Sequence, residues 1–92
     1  MTAGYDGMRI EDFRPGMIFI DSANTTKRIV VLGANTHTLD VWICTVGGRG
    51  PRRASTQQFY WGPLTPHKKV RRTGCFLDTT IPGNTRENWQ RG

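Results

Sequence analysis

Residues 47–53 read Gly-Gly-Arg-Gly-Pro-Arg-Arg, the stretch of this chain best suited to chemistry with a ligand. It sets the guanidinium groups of Arg49, Arg52 and Arg53 on or beside a glycine-rich tip. A guanidinium presents a planar fork of donors that fits phosphate oxygens, and glycines let backbone N–H groups approach an anion. Lys68, Lys69, Arg71 and Arg72 form a second basic cluster, and Tyr60 and Trp61 lie between the two. Such rings stack on unpaired bases, each stack contributing about 1–3 kcal/mol. Phosphate contacts for affinity and aromatic faces for bases together make the chemistry of nucleic-acid binding. The bland alternative is a solvated basic rim with Phe59 and Trp61 in the core.

The charge distribution sharpens this reading. The 92 residues carry a net charge of +6, yet residues 1–48 sum to −1 and residues 73–92 to zero. Residues 49–72 hold seven bases and no acid, so the whole excess lies in one stretch. A concentrated charge makes a local positive field that draws in a polyanion, where diffuse basicity would say little.

Other chemistries find little support. His37, Cys44, His67 and Cys75 could supply zinc ligands, but none is paired at the two-to-five-residue spacing of zinc sites, so no metal is expected. No local signature links a histidine to a cysteine nucleophile, and the acids are scattered. The glycine loop lacks the Gly-Lys-Ser/Thr ending of a phosphate-binding loop and matches no dinucleotide fingerprint. Neither catalysis nor a cofactor is expected. Cys44 and Cys75 read as free thiols, since a secreted domain of this size usually carries more cysteines in even sets. No apolar run reaches the roughly 18 residues of a membrane span, and we expect a cytoplasmic protein without membrane contact.

These residues need a scaffold, and the punctuation of the chain suggests which one. Eleven glycines and five prolines recur throughout and leave no long helical window. Residues 10–13 suit one helical turn, ended by Arg14-Pro15-Gly16. Strands are expected at 17–20, 28–32, 39–46, 53–59 and 68–72, and the β-branched run Ile29-Val30-Val31 favours extended backbone. In the third strand Leu39, Val41, Ile43 and Thr45 share one face, with Asp40, Trp42, Cys44 and Val46 on the other. Trp42 reads more readily as packed under the chain terminus than as a platform for a base. Cys75-Phe76-Leu77 reads as a cover over one open end.

Five short strands in under 100 residues point to an all-β, five-stranded SH3-like barrel, since closure removes exposed edges. Residues 1–9 are expected to form a flexible tail and residues 10–77 the barrel. Residues 78–92 are expected as an irregular C-terminal tail with one helical turn, Asn84 and Glu87 making its capping box.

The segment Ile10-Glu11-Asp12-Phe13-Arg14-Pro15-Gly16-Met17-Ile18-Phe19 resembles the opening of the first barrel domain of elongation factor P. The likeness runs on loosely through Arg28–Leu32, Val41–Val46 and the turn before Phe59, about 55 residues in all. It implies an SH3-like, KOW-type barrel. The family's functional loop carries a lysine between glycines, whereas this chain has Ala34-Asn35-Thr36-His37, so no functional residue carries over. In length, arginine usage and lone-barrel layout the chain is also similar to small accessory proteins of bacteriophages.

The expected function is non-catalytic binding of a polyanion, foremost nucleic acid, DNA or RNA. Arg49, Arg52, Arg53, Lys68, Lys69, Arg71 and Arg72 would hold phosphates, and Tyr60 and Trp61 would stack. The alternatives are a phage-type interaction module docking on a host protein, and a sponge for a phosphorylated nucleotide.

Overall fold

A computed structural model describes residues 7–66 and 73–91. Six short strands form one curled sheet, a half-barrel compatible with an SH3-like fold. They are β1 (Ile18–Asp21), β2 (Asn24–Asn35), β3 (Asp40–Thr45), β4 (Arg52–Ser55), β5 (Phe59–Tyr60) and β6 (Cys75–Leu77). Their spatial order is β4-β3-β2-β1-β6-β5, antiparallel throughout except for the parallel pair β5–β6.

Among the described residues the sheet thus has six strands rather than the five expected in the whole chain, for two reasons. Residues 53–59 do not run as one strand: Ser55 Oγ accepts from the Gln57 amide and starts a 3-10 turn at Thr56–Gln58, which splits β4 from β5. Cys75–Leu77 is not a cover but a strand of the sheet, paired with both β1 and β5. The expected strand at 68–72 lies outside the described residues.

The other elements begin and end where local chemistry dictates. The Asp21–Asn24 turn is tight, because Asp21 Oδ1 accepts from the Ala23 amide. Ser22 anchors it, exchanging hydrogen bonds with the Gly74 backbone through its own N–H and its Oγ. β2 and β3 are joined by residues 36–39, where Asn35 Oδ1 accepts from the amides of His37 and Thr38. Leu39 ends that turn at φ 61°, which throws its side chain into solvent instead of onto the core face.

The core lies on the concave side. Phe19, Ile29, Val31, Val41 and Ile43 from β1, β2 and β3 meet Phe13, Met17, Phe59, Trp61 and Leu77. Phe59 stands edge-on to both Phe13 and Phe19, at 5.3 and 5.0 Å between centroids, an arrangement that ring quadrupoles favour. Gly7 bridges Tyr60 and Met8 is buried, so these two residues pack on the barrel.

The C-terminal segment is pinned from its middle. The buried Asn84 donates from Nδ2 to the carbonyls of Ile18 and Asp78, and its Oδ1 accepts from Trp89 Nε1. It therefore serves as an internal clamp, and Thr85 Oγ1 instead accepts from the Asn88 amide at the start of helix α1 (Arg86–Arg91). Among the described residues no helix is long and apolar enough to cross a membrane.

Candidate polyanion-binding face

β3 and β4 and the loop between them carry the candidate site. The loop follows Thr45 and turns at Gly47, where φ is 73°; the Gly48 amide then donates to the Thr45 carbonyl. The Thr45 amide donates back to the Arg49 carbonyl at 3.2 Å, closing the tip. Arg49, Gly50, Pro51 and Arg52 line a shallow depression beside it.

Alternation along β4 then divides the arginines. Arg52 pairs with Ile43, whose side chain is in the core, and Arg53 pairs with the outward Trp42. Successive strand residues face opposite sides, so Arg52 and Arg53 do not share a face. Arg52 turns to the inner rim, where its guanidinium donates to Thr45 Oγ1 at 2.9 Å. Arg53 lies over the Trp42 ring on the outer face, 5.2 Å from its centroid. Among the described residues none of Arg49, Arg52 and Arg53 is paired with a carboxylate; the ion pairs involve Arg9, Lys27 and Arg28. Lys68, Lys69, Arg71 and Arg72 lie outside the described residues.

The aromatic residues are placed differently from expectation. Trp61 is 1% exposed and belongs to the core, with the Arg86 guanidinium 5.1 Å from its ring centroid. Its indole N–H is buried with no hydrogen-bond partner among the described residues, and its ring offers no face to a base. Tyr60 is half-buried and stacked on Phe76 at 4.9 Å. The tryptophan that stands beside the arginines is Trp42, 38% exposed. Its outward direction was readable from the alternation Val41-Trp42-Ile43. Core volume comes instead from Trp61, Phe19, Phe59 and Phe76.

Around Trp42 the outer face is largely apolar. Val30 and Cys44 pair across β2 and β3 on that side, and Leu32 is exposed. Asp40 lies on the same face at the end of β3 remote from the arginine loop. Residues 41–77 contain no acid, so along β3 and its loop the charges run from Asp40 at one end to the arginines at the other. Comparison with protein-family models, curated proteins and solved structures finds no match to this chain.

Proposed function

We propose that this chain is a non-catalytic module that binds a polyanion, foremost nucleic acid, on the outer face of β3 and β4. The observation that carries this reading is the Trp42–Arg53 pair, exposed beside two further arginines that have no carboxylate partner among the described residues. Arg53 contacts phosphate from the face itself, and Arg49 reaches it from the loop. Arg52, turned to the inner rim, contributes field more than contact. Trp42 takes the stacking role that the sequence suggested for Tyr60 and Trp61. Lys68, Lys69, Arg71 and Arg72 extend the same positive stretch in sequence.

The half-barrel supports a scaffold of the SH3-like, KOW type, in keeping with the resemblance of residues 10–19 to elongation factor P. One small barrel makes few base-edge contacts, so affinity depends steeply on salt and weakly on sequence.

Titration of labelled single- and double-stranded oligonucleotides by fluorescence anisotropy tests the proposal. Binding at low salt that weakens as salt rises supports it, and no binding at low salt overturns it. Replacing Arg49, Arg52 and Arg53 together by Glu removes binding while the circular dichroism spectrum is retained. The exposed apolar side chains Leu32, Trp42 and Val46 favour one rival, a module docking on a protein. Salt-insensitive capture of a protein partner, with no oligonucleotide binding, would decide for it.

A further inference from the structure

Gly33 faces Trp42 directly across the β2–β3 ladder. The register slips between Val31 and Gly33, so Leu32 and Gly33 together oppose that one tryptophan. Such a bulge re-aims side chains, and here it puts Leu32 and a bare backbone next to each other on the outer face.

Neither a positive φ nor crowding asks for glycine at this position. Its φ is not in the left-handed region, and a Cβ built on it would meet no atom within 4 Å outside its two chain neighbours. Gly62 is the contrast, with φ +76° and a Cβ position 2.7 Å from the Leu77 carbonyl oxygen. Glycine inside a strand costs about 0.5–1 kcal/mol relative to alanine. Within a strand, glycine often marks a bulge, as here, or a place where a ligand or another backbone approaches closely. No atom of Trp42 comes within 4 Å of the Cβ position built on Gly33, so the indole does not fold back over Gly33: it has the Arg53 guanidinium on the β4 side and an open approach to the Gly33 backbone on the β2 side.

We propose that this notch, floored by Gly33 and walled by Trp42 and Leu32, seats one unpaired base of a single-stranded nucleic acid. The inference rests on the polyanion reading above and narrows it to a substrate class. The base lies against the indole and the Leu32 side chain, and the backbone runs toward Arg53 and Arg49, away from Asp40. A duplex keeps its bases stacked and paired, so it presents only phosphates to the arginines and leaves the notch empty. Gly33 is then a specificity-determining residue, whose missing side chain makes the room.

The test compares three fluorescein-labelled probes of equal length at low salt: an oligothymidylate, a chain of abasic deoxyribose phosphates, and a duplex. The expected result is that the wild-type protein binds the oligothymidylate about tenfold more tightly than either other probe. Gly33→Val fills the notch and brings the oligothymidylate down to the level of the abasic chain, whose own affinity is unchanged. Trp42→Ala does the same by removing the wall, and Gly33→Ala gives an intermediate loss with the smallest perturbation of the fold. Equal wild-type affinity for the abasic and thymidine chains overturns the notch while leaving the polyanion reading standing. An oligothymidylate affinity unaffected by Gly33→Val also overturns it. Failure of all three probes to bind overturns both.

Discussion

Arg53 and Trp42 are cross-strand partners on β4 and β3, and the guanidinium carbon sits 5.2 Å from the centroid of the indole ring. An exposed cation–π pair of this kind contributes about 0.5–1 kcal/mol, too little to hold the domain together. Arg53→Ala is therefore expected to lower unfolding stability in urea by no more than about 1 kcal/mol. The effect on oligonucleotide binding is expected to be larger, and the slope of log K against log salt falls by about 0.7–0.9 for the one lost phosphate contact. An unchanged slope would mean that Arg53 serves only to hold the indole.

Asp78 ties the C-terminal segment to β2. Its side chain is 4% exposed, and its Oδ2 accepts from Arg28 Nε at 2.8 Å while Oδ1 accepts from the hydroxyl and amide of Thr80. Burial alone would raise its pKa, but the hydrogen bonds from Thr80 and the charge and hydrogen bond of Arg28 hold it below the ordinary carboxylate value. A carboxyl depressed in the folded state contributes stability that is present above its unfolded pKa, about 3.9. That contribution is lost as pH falls through the lower folded value. Urea midpoints measured from neutral pH down into the acid range should drop for the wild type. Asp78→Asn should start about 2–3 kcal/mol lower and show a flatter acid limb.

Much of the scaffold was readable in the sequence, and the exceptions have physical causes. The β-branched run at Ile29–Val31 and the alternation from Asp40 to Thr45 identified β2 and β3, because a strand with one buried face writes a period of two. Cys75–Leu77 was missed as a strand because all three residues are buried, which erases the alternation, and three residues carry no period. The site was legible as a charge excess and illegible as geometry. Adjacent strand residues point apart, so Arg52 and Arg53 separate. Trp61, just past β5, follows the same logic into the core while its neighbour Tyr60 turns to Phe76.

Gly62 and Gly33 predict opposite outcomes for the same substitution. At Gly62 an added methyl group would stand 2.7 Å from the Leu77 carbonyl oxygen, in a backbone conformation that side chains rarely adopt. Gly62→Ala should cost about 3 kcal/mol or more, since steric overlap adds to the strain of a positive φ. At Gly33 the space is open and φ is ordinary, so Gly33→Ala should stabilise by about 0.4–1 kcal/mol through a less flexible unfolded chain. Thermal melts of the two variants decide the matter. A destabilised Gly33→Ala would show that the bulge itself requires glycine.

The two free thiols differ in environment, and that difference offers a probe of the outer face. Burial, and after it the negative charge of Asp21, pushes the Cys75 thiol up to about 11. At about pH 8 only about a thousandth of such a thiol is ionised, and the thiolate is the form that reacts. Cys44 is half-buried on the outward side of β3, two residues from Trp42. A thiol-specific disulfide reagent should therefore label Cys44 first and reach Cys75 only on unfolding, and Cys44→Ser should abolish the early phase. Oligonucleotide seated against Trp42 should slow the labelling of Cys44 and leave the rate at Cys75 unchanged. Equal rates at Cys44 with and without saturating oligonucleotide would place the ligand elsewhere on the barrel.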